Sequence, residues 1–154
     1  MFPAVALTAL IAIMPSPDRD PDTVRKAFVI LKATPSYADA RGVAMSASEK
    51  LAIRLDLREL TPDREMGLTF SEDACKNEFG EYPCYVPRGR WDDGVYISVE
   101  HSSSYEGLEE GQYIVVLASG APRDRTIGAA LRRARGSFPE VTVKTAPVYL
   151  GCIH

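Results

Sequence analysis

The sequence lacks the features that are typical of membrane-spanning, metal-binding and nucleic-acid-binding proteins. Its longest uncharged, mainly apolar run, residues 4–14, is far shorter than the roughly 20 residues that a membrane-spanning helix needs. Its two histidines and three cysteines match no zinc-binding pattern, so we expect neither a metal nor a cofactor. A net charge of −3 argues against a nucleic-acid partner. With 45% hydrophobic and 25% charged residues, the chain has the composition of an ordinary globular protein.

A catalytic motif is also missing. His101 precedes three serines, but nothing around it indicates the nucleophile elbow and orienting acid that a Ser–His hydrolase needs. The adjacent acids at 92–93 and 109–110 precede glycines, which is typical of turns and solvated loops. We therefore predict that the protein is not an enzyme. A small hydrolase that uses carboxylates or His101 is kept as a third hypothesis.

Residues 1–16 differ from the rest of the chain because they carry no charge. Their apolar run is typical of the core of a secretory signal peptide. No Lys or Arg precedes the run and no clear cleavage consensus follows it, so a buried N-terminal helix or strand is the alternative. We predict a signal peptide over 1–16, cleavage near Ser16, and an exported mature chain without a stable membrane span.

The cysteines agree with export. Cys75 and Cys84 lie in a polar, turn-rich segment and can close a small disulfide loop worth roughly 2–3 kcal/mol in an oxidising compartment. Cys152 either stays free or pairs with one of the other two, and the sequence does not choose among the three pairings. We take Cys75 with Cys84 as the predicted disulfide.

Two segments of the chain share one pattern. Around Tyr113–Ala118 an apolar strand is followed by an amphipathic helix and a second strand at 140–144. Earlier in the chain, a strand near 27–31, a helix over about 36–50 and a strand at 53–57 repeat that order. The pattern predicts a single α+β domain over residues 17–154, with a ferredoxin-like βαββαβ order and both helices on one face of the sheet.

Between the two halves lies an acidic insert, residues 61–111, with twelve acidic and four basic residues. Its segments 82–86 and 95–99 flank an Asp93-Gly94 turn signal, which predicts a β-hairpin. The predicted disulfide falls in the same region. We therefore expect a disulfide-stapled hairpin inserted into the βαββαβ core.

The flanking halves resemble the SPOR (sporulation-related repeat) domain. The motif Y-x-V-x-L from Tyr113, a turn of small residues and an Ala/Leu/Arg-rich helix carry the resemblance, and residues 28–31 with the Ala-rich helix after Ser36 repeat it. It covers residues 24–60 and 112–151 but not the insert. The resemblance implies a bacterial envelope protein, periplasmic or secreted, that binds peptidoglycan glycan strands on the open face of its sheet.

The residues of the strand that begins at Tyr113 indicate whether that face of the sheet is open to solvent or covered. Alternation places Val115 and Leu117 towards the helices, and Ile114, Val116 and Ala118 on the other face. A strand that is apolar on both faces is normally covered on both faces. We therefore expect the insert or a partner to cover the face on which the family binds glycan.

Two sets of residues are candidates for ligand binding. Arginines concentrate on the second helix, at Arg125, Arg132 and Arg133, and can bind an anionic partner through charge-assisted hydrogen bonds. The alternative is a solvated helix face, or pairing with the carboxylates of the insert.

The insert contributes the aromatic set. Arg90, Trp91 and Tyr105 are candidates for contact with sugar rings or a protein, whereas Tyr82 and Tyr96 are expected in the core of the insert.

These patterns favour an exported, non-catalytic binding module for peptidoglycan glycan, with Arg90, Trp91, Tyr105 and the arginine helix as its ligand-binding residues. The alternative is a periplasmic protein-binding module of the immunity or inhibitor type. In that case the acidic residues Glu106, Glu109 and Glu110 would meet a basic protein. The salt dependence of binding distinguishes the two hypotheses. A complex held by opposite charges weakens with salt more than the binding of a glycan that stacks on aromatic rings.

Overall fold

The structure is a computed structural model that describes residues 20–152. The predicted signal peptide, residues 1–16, lies outside the described residues. Among residues 20–152, no helix has the length and apolar character needed to span a membrane.

The described chain is an α+β structure, as predicted. Its strands are β1 (Thr23–Thr34), β2 (Thr61–Asp63), β3 (Gly67–Thr69), β4 (Gly94–His101), β5 (Tyr113–Gly120) and β6 (Thr142–Tyr149). Its α-helices are α1 (Tyr37–Leu51), α2 (Glu72–Phe79) and α3 (Arg125–Arg135), and a 3-10 turn spans Ser102–Ser104. The main sheet has the order β4-β5-β1-β6 with every pair antiparallel, and β2 pairs only with β3.

Both long helices begin at side-chain caps. The Ser36 hydroxyl accepts a hydrogen bond from the Asp39 N–H at the start of α1, and the Asp124 carboxylate accepts one from the Thr126 N–H at the start of α3. The two helices pack on the same face of the sheet. The core between them contains the buried residues Val29, Leu31, Val115, Leu117, Ala40, Ala44, Ala47, Ile127, Ala130 and Ala134.

A β-bulge modifies the predicted alternation in β5. Ile30 and Val29 of β1 pair with Val116 and Ala118, so Leu117 is the extra residue. Val115 and Leu117 face the helices and Ile114 and Val116 the other side, as expected. The expectation for Ala118 was wrong, because the bulge turns it to the helix side.

The predicted strand at 53–57 is wrong. The segment makes one parallel bridge, between Leu55 and Ile97, and no extended ladder. The reason is that β4 from the insert occupies the place beside β5. The chain also turns away at once, because Arg58 and Glu59 both have positive φ.

The predicted hairpin between 82–86 and 95–99 is also wrong. Residues 95–99 belong to β4, which pairs with β5 instead. Residues 82–86 form no strand, because Pro83 and the following Pro87 lack the N–H groups that a ladder requires.

The predicted disulfide is confirmed. Cys75 and Cys84 are bonded, and the bond ties helix α2 to the segment that follows it. Helix α2 was not predicted, although Ser71 caps its start and Gly80, at φ 77°, ends it. Cys152 is exposed and has a free thiol in the described part of the chain.

Candidate functional site

The insert covers much of the sheet face opposite the helices, as the apolar character of β5 predicted. Phe28, Ile114 and Val116 on that face are buried, and the Tyr105 ring packs edge-on against Phe28 with centroids 4.9 Å apart. Gly89 lies directly over Phe28 with φ 97°, and a Cβ there would come within 3.0 Å of the ring. Only glycine combines this backbone conformation with so close an approach.

Arg88 fixes the insert to the sheet. Its side chain is fully buried, and its guanidinium lies 3.5 Å from the centroid of the Tyr96 ring. The guanidinium donates hydrogen bonds to both strands where the β4–β5 register slips, and the acceptors are the carbonyls of Gly94, Tyr96 and Val116 and the hydroxyls of Ser98 and Ser119. Burial lowers the pKa of Arg88, but the acceptors and the aromatic face suit its cationic form.

Next to Arg88 lies a second buried charge, Glu100. Its Oε2 accepts hydrogen bonds from Arg58 Nη1 at 2.7 Å and from the Tyr85 hydroxyl at 2.6 Å. Burial raises the pKa of Tyr85 well above its ordinary value and the negative Glu100 raises it further, so the phenol stays a donor. Burial by itself would lower the pKa of Arg58, but the attraction of Glu100 outweighs it and raises that pKa.

The backbone at Arg58 directs this side chain into the cluster. Arg58 has φ 58°, a left-handed conformation that costs a non-glycine residue about 1–2 kcal/mol. The Arg58 N–H donates to the Asp56 carboxylate at 2.8 Å, which supports the turn and lowers the pKa of Asp56. Arg58 Nη2 also donates to the Val86 carbonyl. The arginine thus links the end of the first half to the insert.

This framework supports a groove on the surface of the insert, which we call the Trp91 groove. It encloses about 320 Å³ and is lined by Arg58, Phe70, Ala74, Glu78, Phe79, Val86 and Trp91. Trp91 is 69% exposed, although large aromatic residues are usually covered. Helix α2 supplies one wall, and the disulfide from Cys75 holds that helix in place.

The Arg90 guanidinium packs against the Trp91 ring. It lies 4.8 Å from the Trp91 ring and 5.3 Å from the Tyr149 ring. Its Nη1 donates to the Tyr149 carbonyl at 3.0 Å, and its Nη2 contacts the Gly151 carbonyl. Arg90 is only 8% exposed, so its part at this surface is to position Trp91 and the last strand.

The expectation that Tyr105 is a surface anchor was wrong. The residue is 1% exposed, and its hydroxyl donates to the Arg88 carbonyl at 3.1 Å. Tyr96 is buried as expected, whereas Tyr82, expected in the core, is 47% exposed. Of the two aromatic candidates for ligand contact, Trp91 is exposed and Tyr105 is buried.

The charged candidates remain at the surface on both sides of the sheet. Arg125, Arg132 and Arg133 are exposed on α3, and Glu106, Glu109 and Glu110 are exposed in the loop before β5. Arg133 contacts the Leu51 carbonyl at the end of α1. Within residues 20–152, none of these six side chains forms an ion pair, so the α3 arginines do not pair with the carboxylates of the insert there.

The residues of the hydrolase hypothesis are dispersed. His101 Nδ1 lies 2.7 Å from the Ser103 hydroxyl, but no carboxylate of the described chain bonds its ring. Asp93 is paired with Lys26, and Asp92 accepts from the Tyr96 hydroxyl at 2.6 Å and from the Gly89 N–H. In the same part of the chain, no group of three His, Cys, Asp or Glu side chains is placed to hold a metal ion.

The sequence interpretation considered Phe70 and Phe79 only as core residues of the insert, and it did not single out Arg58. A local signal existed for Phe79, because Ser71 and Gly80 bracket a helix-length segment that would put Ala74, Glu78 and Phe79 close together. Phe70 directly precedes the Ser71 cap and lines the groove beside α2, whereas Arg58 lies outside the insert and no local pattern brings it there. Comparison of this chain with models of protein families, with curated proteins and with solved structures finds no match.

Proposed function

We propose that this protein is a non-catalytic binding module of the bacterial envelope that holds peptidoglycan glycan at the Trp91 groove. The observation that carries the proposal is the 69% exposure of Trp91 at the mouth of a groove that Phe70 and Phe79 also line. Aromatic rings present flat apolar faces with polar edges, which match the faces of sugar rings. The SPOR-like pattern of the flanking halves and the disulfide support an exported, periplasmic or secreted protein.

The site differs from the one that the SPOR resemblance implies. In this chain the insert covers much of the sheet face, and the central residues Ile114 and Val116 are at most 2% exposed. A glycan strand therefore has no access to the middle of that face. The insert that covers this face carries the Trp91 groove. We therefore place the glycan on the insert and not on the sheet.

The test is co-sedimentation of the oxidised mature protein with isolated peptidoglycan sacculi at low and moderate salt. We expect retention that survives moderate salt, because stacking on an aromatic ring depends little on ionic strength. Trp91→Ala should lose retention. Tyr82→Ala, which removes an exposed aromatic ring that does not line the groove, should keep it. Absence of retention for the unmodified protein would contradict the proposal.

A second candidate function is binding of a basic envelope protein. Glu106, Glu109 and Glu110 are exposed and have no cationic partner in the described part of the chain, and that observation favours it. A complex held by these charges should weaken clearly with salt. The triple substitution Glu106→Gln, Glu109→Gln and Glu110→Gln should abolish a pull-down of such a partner from envelope extract, and Trp91→Ala should leave it intact.

A further inference from the structure

The insert leaves one part of the sheet face uncovered, where β1 and β6 approach the loop before β5. A cavity of about 210 Å³ remains there, which we call the sheet-face cavity. Its apolar lining is Ile30, Ala33, Leu108 and Ile114. A smaller cavity of about 170 Å³ adjoins it and shares Ile30, Ala33 and Thr142.

The loop that forms one wall is held at both ends. The Ser102 N–H donates to the Gln112 carbonyl at 2.8 Å, and the Gln112 N–H donates to the Ser102 hydroxyl at 2.9 Å. Inside the loop, the Leu108 N–H donates to the carbonyl of the buried Tyr105. These hydrogen bonds hold the loop in place, and Glu109, the residue after Leu108, lines the cavity.

The cavity carries one charge of each sign. Glu109 lines it from the loop and Lys144 lines it from β6. Within residues 20–152 neither forms an ion pair, whereas the neighbouring Lys32 and Glu140 are paired at 2.7 Å. The two unpaired charges flank an apolar floor.

We propose that the sheet-face cavity binds a free α-amino acid with an aliphatic side chain. The ammonium group would lie against Glu109, the carboxylate against Lys144, and the side chain against Ala33 and Leu108, the more accessible apolar residues of the lining. Cavities for drug-sized ligands enclose about 300–1,000 Å³, so 210 Å³ suits a smaller molecule of this kind. A zwitterion also satisfies both charges at once, which a simple anion, cation or neutral sugar does not. The proposal does not rest on the Trp91 groove and can fail without it.

The experiment is a titration of the oxidised mature protein with L-leucine and D-leucine, followed by amide chemical shifts. Saturable shifts at Leu108, Gln112 and Thr142 are expected with at least one enantiomer. Two analogues each lack one charge, namely 4-methylpentanoate and 3-methylbutylamine, and glycine lacks the apolar side chain. Each of the two analogues that lack a charge should bind about fivefold more weakly, which is the upper range for one exposed ion pair. Glycine should also bind more weakly, because it has no side chain to contact the apolar lining.

Substitutions test whether Glu109 and Lys144 contribute to leucine binding. Glu109→Gln and Lys144→Met should each weaken leucine binding about fivefold, whereas Glu106→Gln, which alters the same loop outside the cavity, should not. Glu109→Lys and Lys144→Glu should each abolish binding. The two together should restore binding with the preference between L- and D-leucine reversed, because exchanging the ammonium and carboxylate positions over the same apolar lining requires the mirror-image amino acid. Failure of both leucine enantiomers to give saturable shifts, or unchanged binding in the single charge reversals, would overturn the proposal.

Discussion

Replacing Arg88 with methionine should destabilise the protein by about 3–5 kcal/mol, because several buried carbonyl and hydroxyl acceptors on β4 and β5 lose their donor. Arg88 is fully buried and donates five hydrogen bonds to β4 and β5. A hydrogen bond to a charged group contributes about 1.5–3 kcal/mol, but methionine also avoids the cost of burying the guanidinium. The net loss is therefore smaller than the sum of the five bonds. Small domains are stable by only about 5–15 kcal/mol, so this is a large fraction of the total.

The assay is urea unfolding followed by far-ultraviolet circular dichroism, with the slope of the transition checked for constancy. Arg88→Lys is the matched control, because it keeps the charge but loses the planar fork, and we expect an intermediate loss of about 2 kcal/mol. Met45→Ala, at an exposed position of α1, should change stability by no more than about 0.5 kcal/mol. A loss below about 1 kcal/mol for Arg88→Met would refute the view that this arginine joins the insert to the sheet.

Three further predictions concern the insert and its surroundings. Replacing Cys75 and Cys84 together with serine should cost about 2–3 kcal/mol, since the disulfide closes a short loop, and should weaken retention on sacculi because α2 loses its anchor. Trp91→Ala should abolish that retention yet change the free energy of unfolding by at most about 0.5 kcal/mol, as measured by urea unfolding. Burial lowers the pKa of His101 below its ordinary 6.5, so the unfolded chain takes up the proton first as the pH falls. Stability should therefore decrease from about pH 7 downwards, and His101→Gln should remove that part of the slope in thermal unfolding measured at a series of pH values.

The elements that periodicity and caps define locally could be predicted from the sequence. Strands β1 and β5 are apolar runs, and α1 and α3 combine a capped start with one apolar face. Each therefore carries its signal within a few residues. Cys75 and Cys84 were taken as the disulfide because both lie in one polar, turn-rich segment, but the pairing itself, with Cys152 as a competitor, was not decided by the sequence.

Strand pairing and burial in the insert could not be predicted in the same way. Residues 53–57 alternate as a strand does, but β4 takes the neighbouring place on β5. The competition depends on contacts between distant parts of the chain, as does the burial of Arg88 and Glu100. Glu100 depends on Arg58 and Arg88 depends on Val116, and these partners lie 42 and 28 residues away in the chain.

At the candidate site, too, the residue types could be read from the sequence, but their burial could not. Trp91 was predicted at the surface and is exposed, whereas Tyr105 was also predicted at the surface and is buried between the insert and the sheet, against Phe28. Arg90 was predicted as a ligand contact, but its hydrogen bonds go to the last strand and its guanidinium packs on Trp91. Residue type indicated which side chains were important, and the long-range packing decided which of them reach solvent.

The most direct test of the central proposal uses Trp91 itself, the single tryptophan of the chain. We would titrate the oxidised mature protein with soluble glycan strands released from peptidoglycan and follow tryptophan emission together with quenching by iodide. A sugar ring stacked on Trp91 should shift the emission to shorter wavelength and protect it from the quencher in a saturable manner. Saturable binding by an independent method, with emission and quenching unchanged, would contradict the assignment of the glycan to the Trp91 groove.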